Sequence, residues 1–125
     1  MKAAIVCGSR YYSPELSQHM PRVMREHAPE LIIQGGARGA DSVAAHYARE
    51  FGIPCIKVEA DWASHGGRAG PMRNREMLRR LMTYGTDVAV IAFPGGIGTA
   101  GMVNMAKKAR VKVISVTYES HEVPQ

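Results

Sequence analysis

Short, unbroken apolar runs alternate along this chain with stretches in which apolar residues recur at helical spacing. An unbroken apolar run is typical of a strand that is covered on both faces, as in the parallel sheets of α/β proteins. The predicted strands are Ala3–Cys7, Leu31–Gln34, Cys55–Val58, Asp87–Phe93 and Val111–Val116. Because crossovers between parallel strands are right-handed, the pattern predicts a single doubly wound, Rossmann-like sheet of about five strands flanked by helices.

Helix start signals lie between the predicted strands. Capping residues, or glycine followed by proline at the start of a helical pattern, mark these positions. The predicted caps or first residues are Ser13, Asp41, Gly70 and Thr99. Pro21 is expected to kink or split the first helix, because proline lacks the N–H of the helical ladder. The segment Ala60–Gly70 is expected to be a polar loop.

The size and charge of the chain limit the classes of function. With 125 residues, 46% of them apolar, the chain is expected to form a single domain, residues 1–125, with a substantial core. The formal net charge of +5 is compatible with nucleic acid and also with a small polyanionic ligand. No run of basic residues and no basic tail accompanies this charge, so nucleic-acid binding is disfavoured.

The cysteines and the N-terminal segment indicate the compartment. Cys7 and Cys55 both fall in predicted strands and are interpreted as buried, reduced thiols of a cytoplasmic protein. The sequence has no CxxC pair and no Cys/His cluster with zinc spacing, so no metal site is predicted. The first apolar run is too short for a signal peptide or a membrane span, so no membrane association is expected.

Every glycine-rich segment of the chain follows a predicted strand. These segments are Gly8–Ser13, Gly35–Asp41, Ala60–Gly70 and Pro94–Thr99. In doubly wound sheets, ligands bind beyond the carboxyl ends of the strands, where the direction of winding reverses. The positions of the glycine-rich segments therefore predict a ligand site at this edge of the sheet.

The segment Pro-Gly-Gly-Ile-Gly-Thr joins a predicted strand to a predicted helix. Glycine lets the backbone approach an anion, and the free N–H groups of the first helical turn point at it. The segment lacks the Lys-Ser/Thr ending of a P-loop, which disfavours triphosphate hydrolysis, and it lacks the GxGxxG spacing of dinucleotide oxidoreductases. The predicted phosphate-binding residues are Pro94, Gly95, Gly96, Gly98 and Thr99.

The segment after the first predicted strand offers groups for the same ligand. Gly8 permits a tight turn, Ser9 offers a hydroxyl donor, and Arg10 can hold a phosphate or carboxylate with two donors. The alternative interpretation is a tight turn with a solvated arginine. We expect these three residues to flank the phosphate.

The segment after the second predicted strand is expected to line the sugar side of the ligand. Gly35 and Gly36 permit close approach of the backbone to a ligand. Asp41 either caps the next helix or accepts hydrogen bonds from ribose hydroxyls, and the two roles are compatible.

Charged and aromatic side chains crowd residues 60–76. Arg73 and Arg75 lie near the start of a predicted helix, where cations oppose the helix macrodipole, and a bound anion would relieve that conflict. Trp62 is either a stacking partner for a base or an aromatic of the core or of a subunit interface. His65 is either a proton shuttle or polar surface.

Five segments of the chain together resemble one family. They are Gly8–Arg10, Gly35–Asp41, Ala60–Trp62, Gly70–Met77 and Pro94–Ala100. In this order they resemble the YspA/cpYpsA-related branch of the SLOG superfamily, which also includes the LOG phosphoribohydrolases and the Smf/DprA DNA-processing proteins. The resemblance implies a Rossmann-like fold that binds a nucleotide-derived small molecule, such as AMP, ADP-ribose or an NAD derivative. It implies no required cofactor, and a homo-oligomer is expected.

One departure from the resembling enzymes bears on catalysis. LOG enzymes carry PGGxGTxxE, whose glutamate helps to cleave an N-glycosidic bond, but here that position is Met102, preceded by Gly101. A hydrolase of this kind would need another carboxylate, and the candidates are Asp41, Asp61 and Glu76. The residues therefore favour binding, with sensing, sequestering or processing as its purpose. An N-glycosidase acting on a nucleoside monophosphate is the first alternative, and a nucleic-acid-binding module is the second.

Overall fold

A computed structural model describes residues 1–118 of the chain, and the expected domain 1–125 extends beyond them. Strands and helices alternate as the sequence predicts. The strands are β1 (Ala3–Cys7), β2 (Leu31–Gln34), β3 (Cys55–Lys57), β4 (Val88–Ala92) and β5 (Lys112–Ser115). The helices are α1 (Pro14–His27), α2 (Ala40–Glu50), α3 (Trp62–His65), α4 (Ala69–Met82) and α5 (Ile97–Lys108), with a 3₁₀ turn over Gly66–Arg68.

The five strands form one parallel sheet in the order β3-β2-β1-β4-β5. The central strand β1 pairs with β2 and with β4, and Ala3 lies opposite Leu31 on one side and Val88 on the other. The prediction of a doubly wound, Rossmann-like sheet is therefore confirmed. The direction of winding reverses between β1 and β4, and in sheets of this kind ligands bind at that point, beyond the carboxyl ends of the strands.

Helices cover both faces of the sheet. On one face, α1 and α2 pack against the strands in a core cluster that includes Met20 and Val6. On the other face, α4 and α5 form a second cluster that includes Leu81 and Ile5. Because successive side chains of a strand point to opposite faces, Val6 packs in the first cluster and its neighbour Ile5 packs in the second. The whole of β1 is buried, which explains its unbroken apolar sequence.

Two helices begin earlier than the capping signals indicate. α2 and α5 begin directly after Gly39 and Gly96, so Asp41 and Thr99 lie inside the first helical turn, and the prediction that they cap these helices is wrong. At Gly39 the backbone has a φ of +74°, a conformation that only glycine adopts without strain. The turn into α2 therefore requires glycine for its backbone conformation, whereas the predicted start signal was the capping side chain of Asp41.

The predicted loop Ala60–Gly70 is partly helical, which corrects that prediction. Asp61 caps the single turn α3, and its Oδ1 accepts a hydrogen bond from the Ser64 N–H at 3.1 Å. α3 is too short to show an apolar period, so only this capping aspartate could have signalled it. Pro21 lies inside α1 and does not split it, since the helix runs through to His27.

The two cysteines differ in exposure. Cys7 is buried in the central strand, as expected, but Cys55 is exposed on the edge strand β3, so the prediction of two buried thiols is wrong for Cys55. An edge strand has a neighbour on one side only, and all of β3 is at least partly exposed for that reason. Among residues 1–118, no helix is long and apolar enough to cross a membrane.

Candidate functional site

A cavity of about 540 Å³ opens between the loops after β1 and β4, where the winding of the sheet reverses. We call it the switch-point cavity. Its walls come from the loops after β1 and β2, from α4 and from the start of α5. The predicted site residues that line it are Gly8, Ser9, Arg10, Asp41, Arg73, Gly96, Gly98 and Thr99.

A second cavity of about 620 Å³ adjoins the first, and we call it the Trp62 cavity. The two cavities share part of their walls, namely Arg10, Tyr11, Ala37 and Arg73. The predicted residues Gly35, Gly36 and Trp62 line this second cavity, together with Arg38, Glu59 and Ala60. The structure thus places the sequence-predicted binding residues around two connected spaces.

Several predicted residues lie away from both cavities. Arg75 is exposed on α4, because two residues along a helix turn the side chain to the other side. Asp61 is exposed and caps α3, while Glu76 is bound by Arg79 and by Arg80. Pro94 and Gly95 line a separate depression beside α5 and β5.

The loop after β1 is fixed by its neighbours on both sides. The Ser9 N–H donates to the Pro94 carbonyl at 3.0 Å, and the Ser9 carbonyl accepts from the Ala40 N–H at 2.9 Å. One peptide segment therefore joins the loop after β4 to the start of α2. A Cβ at Gly8 would lie 2.8 Å from the Cβ atoms of Ala40 and Phe93, so no larger residue fits there without a shift.

The glycines of the site serve two different purposes. At Gly8 and Gly95 an added Cβ would meet neighbouring loop atoms, so these glycines permit the close packing of one loop on another. At Gly96 and Gly98 an added Cβ would meet no atom within 4 Å, and both residues face the switch-point cavity. The sequence predicted that Gly95, Gly96 and Gly98 hold the phosphate and that Gly8 flanks it. The structure gives open space to Gly96 and Gly98, whereas Gly8 and Gly95 are packed against their neighbours.

The N-terminus of α5 faces the switch-point cavity. Gly96 precedes the helix, and Ile97, Gly98 and Thr99 form its first turn along the cavity wall. The N–H groups of a first helical turn have no partner within the helix, and the macrodipole adds a partial positive charge. This end of α5 is therefore suited to an anion. Ile97, which the sequence analysis did not single out, is 93% exposed at the edge of the cavity.

Arg73 lies between the two cavities and is held in place. Its Nη1 donates to the Gly35 carbonyl at 2.7 Å, and its Nε donates to Asn74 Oδ1 at 3.0 Å. The guanidinium has five N–H donors, so most of them remain for a ligand. A Cβ at Gly35 would lie 2.5 Å from Nη1, so glycine at this position leaves room for the guanidinium.

Asn74 connects α4 to the start of α5. Its Nδ2 donates to the Gly98 carbonyl at 3.1 Å, and the residue is buried. Together these bonds link Arg73 to the first turn of α5 through one side chain. Asn74 was not among the predicted site residues. Its helical spacing to the apolar residues Leu78 and Leu81 places a polar group on the buried face of α4, which is the signal that could have identified it.

Asp41 is the acidic group of the switch-point cavity. It is only 8% exposed, and its Oδ2 accepts a hydrogen bond from the Ala37 N–H at 3.1 Å. Burial raises the pKa of the Asp41 carboxyl above its usual value, against the opposing effects of the Ala37 N–H and the Arg73 guanidinium. Burial, helped by the negative charge of Asp41, also raises the pKa of the Cys7 thiol to about 12. Cys7 is therefore not a nucleophile at neutral pH.

The other two carboxylate candidates have the opposite electrostatic character. Hydrogen bonds from Arg79 and Arg80 lower the pKa of Glu76 to about 2, and hydrogen bonds from Ser64 lower the pKa of Asp61. Both groups are exposed or half-exposed and stay ionised at neutral pH. Of the three candidates, only Asp41 lines a cavity and has a raised pKa.

The position that carries glutamate in the resembling LOG enzymes belongs to the core here. Met102 is fully buried and packs in the cluster between α4, α5 and the sheet. It does not line the switch-point cavity. A carboxylate at this position of the chain would be buried among apolar side chains.

Two comparisons decide the family of the chain. Residues 4–65 match the family YAcAr, described as the YspA, cpYpsA-related SLOG family. The Gene 61 protein of Mycobacterium phage D29 is 39% identical over 92 residues, which cover 68% of this chain and 70% of that protein. The chain belongs to the YAcAr family. The resemblance that the sequence motifs indicated is therefore confirmed.

A solved structure supports the YAcAr protein's fold. The X-ray structure of DNA processing protein A (DprA) from Streptococcus pneumoniae matches with a TM-score of 0.54 and 20% identity. The match covers 91% of this chain but only 58% of the DprA chain. The likeness at this identity establishes a shared Rossmann-like fold.

Proposed function

We propose that this YAcAr protein binds a phosphate-bearing, nucleotide-derived small molecule, such as AMP, ADP-ribose or an NAD derivative. The observation that carries the proposal is that the N-terminus of α5, Arg10 and Arg73 line one cavity. The phosphate would be held by the first-turn N–H groups of α5 and by the two guanidinium groups. No cofactor has a role in this proposal.

The hydrogen-bonding state of the cavity supports an anionic ligand. Ser9 Oγ already accepts a hydrogen bond from the Tyr11 N–H at 3.0 Å, which leaves the hydroxyl hydrogen free to donate to a phosphate oxygen. Two cationic side chains and the helix dipole outweigh the single carboxyl of Asp41, whose raised pKa already marks an unfavourable setting for its charge. A phosphate would find more donors than acceptors in this space.

The experiment measures thermal stabilisation by AMP, ADP-ribose and NAD, with Arg73→Ala and Arg75→Ala as a matched pair on the same helix. Because Arg73 lines the cavity and Arg75 does not, Arg73→Ala is expected to weaken ligand binding about tenfold to a hundredfold, and Arg75→Ala is expected to leave it unchanged. Circular dichroism checks that both variants fold. Equal loss in both variants, or no stabilisation of the parent protein by any of the three compounds, would contradict the proposal.

An N-glycosidase acting on a nucleoside monophosphate is the second candidate. The observation that favours it is the Asp41 carboxyl, which lies in the cavity and has a raised pKa, as an acid or base catalyst requires. Mass spectrometry of the recovered ligand separates the two functions. Intact AMP supports binding alone, whereas free adenine that disappears with Asp41→Asn supports hydrolysis.

DNA binding is the third candidate function, because the structural neighbour is named DNA processing protein A. An oligonucleotide is therefore added to the compounds tested. Binding of an oligonucleotide with a steep salt dependence, without any response to mononucleotides, would favour it over the proposal.

A further inference from the structure

The two cavities differ in chemistry although they are connected. The switch-point cavity has the N-terminus of α5 in its wall, whereas the Trp62 cavity is lined by an indole, by the backbone of Gly35 and Gly36, and by Glu59. At about 540 and 620 Å³, each cavity alone has the size of a common small-molecule site, which is about 300–1,000 Å³. A ligand with two chemically different ends would match both.

The indole of Trp62 is exposed but has a defined position. Trp62 is 51% exposed, which excludes the interpretation of this residue as a core aromatic. Its ring lies beside α4 at Gly70, where an added Cβ would be 3.3 Å from the ring atom Cη2. The absence of a side chain at Gly70 lets the ring approach the helix. The ring therefore has a supported edge and an open surface in the cavity.

Glu59 adds an acceptor to the same cavity. Its Oε1 pairs with Lys57 Nζ at 3.0 Å, and within residues 1–118 the second carboxylate oxygen has no such contact. A carboxylate oxygen accepts hydrogen bonds from ring N–H or exocyclic amino groups. An aromatic surface beside a hydrogen-bond acceptor suits a planar nitrogen heterocycle.

We propose that the ligand spans both cavities, with its phosphate at the N-terminus of α5 and a planar nitrogen heterocycle stacked on Trp62. Arg10 and Arg73, which line both cavities, contact the sugar–phosphate link between the two ends. The inference rests on the proposed function and assigns the orientation of the ligand. It makes Trp62 a specificity-determining residue that discriminates nucleotides from simple sugar phosphates.

The intrinsic fluorescence of the protein reports directly on the Trp62 cavity, because Trp62 is the only tryptophan of the chain. AMP and ADP-ribose are expected to change its emission on binding. Ribose 5-phosphate lacks the heterocycle, so it is expected to raise the melting temperature without changing the emission.

Three variants test the stacking. Trp62→Leu is expected to weaken AMP binding about fivefold to a hundredfold and to leave ribose 5-phosphate binding unchanged, and Trp62→Tyr is expected to restore most of the loss. Tyr12→Leu is the control, since Tyr12 is an exposed aromatic that lines neither of the two cavities. Calorimetry gives the affinities.

The outcomes separate the two proposals. If AMP binds the parent protein but Trp62→Leu weakens the binding of AMP and of ribose 5-phosphate equally, the proposed orientation is wrong and the proposed function stands. The same conclusion holds if Trp62→Leu weakens the binding of neither compound. If AMP, ADP-ribose, NAD and ribose 5-phosphate all fail to bind the parent protein, the proposed function fails, and the proposed orientation fails with it.

Discussion

Asp41 is a carboxyl group in a cavity whose other charged side chains are cationic. Its position in the first turn of α2, rather than at the cap, brings its oxygen to the Ala37 N–H. The sequence identified Asp41 as a site residue but could not separate a cap from a cavity group, because the two differ by a shift of the helix start within one turn. The loop before α2 supplies the hydrogen-bond donor, because the Ala37 N–H in that loop donates to Asp41 Oδ2.

Replacement of Asp41 by Asn is expected to raise the melting temperature at pH 7. A raised carboxyl pKa means that the folded protein binds the proton more tightly than the unfolded chain, so stability falls as pH rises through the interval above the usual value of 3.8. Asp41→Asn removes this penalty, and its gain over the parent protein should shrink as the pH is lowered towards 4.

Thermal unfolding at pH 7 and pH 4 measures the effect. Asp61→Asn is the control of opposite sign, because the pKa of Asp61 is lowered and its charge is favourable in the folded state. A gain at pH 7 for Asp61→Asn, or a loss for Asp41→Asn, would contradict the electrostatic interpretation.

α5 shows how one element combines a structural role with the binding role that we propose for it. The sequence predicted a strand, a glycine turn and a helix here, and the structure confirms this order over β4 and α5. Which of these glycines are packed and which have open space could not be predicted, since this depends on whether the loop after β1 lies against each one. Gly96 precedes α5 with an extended backbone (φ −99°, ψ −145°) and open space around it.

Substitution of Gly96 by Asp or Asn therefore separates folding from binding. Both side chains are good N-caps, so each is expected to stabilise the free protein by a few tenths of a kcal/mol relative to glycine. Only the carboxylate repels a phosphate, so Gly96→Asp is expected to abolish stabilisation by AMP while Gly96→Asn retains more of it. Thermal shift with and without AMP measures both effects. Equal AMP responses in the two variants would place the phosphate elsewhere.

The whole molecule is organised around the buried central strand. The sequence sufficed to predict the number and direction of the strands, because unbroken apolar runs demand cover on both faces. It could not predict that Arg73, which lines both cavities, donates a hydrogen bond to the Gly35 carbonyl across 38 positions of the chain. Patterns of neighbouring residues contain no information on such a contact.

Cys7 gives a measure of global unfolding. It lies in β1, the middle strand of five, and burial raises the pKa of its thiol to about 12. In the Cys55→Ser variant, Cys7 is the only thiol, and it is expected to react with a thiol reagent at pH 8 about a thousandfold or more slowly than in the unfolded chain. Stopped-flow absorbance with and without guanidinium measures the ratio. Because Cys7 also lines the switch-point cavity, rapid labelling of the native variant would show either access to the thiol from that cavity or local opening of β1, and either would contradict the expectation.

The peptide of Ser9, bonded to Pro94 on one side and to Ala40 on the other, makes the inner boundary of the site stiff. For the ligand that we propose, such a boundary would discriminate by exclusion, since it cannot spread to admit a bulkier molecule without giving up hydrogen bonds to the loop after β4 and to the start of α2. The part of the site that can adjust to different ligands is then the outer rim, where Tyr11 and Ile97 are 76% and 93% exposed. Little ordering would then be needed when the proposed ligand associates, and changes confined to the rim would alter which ligands fit.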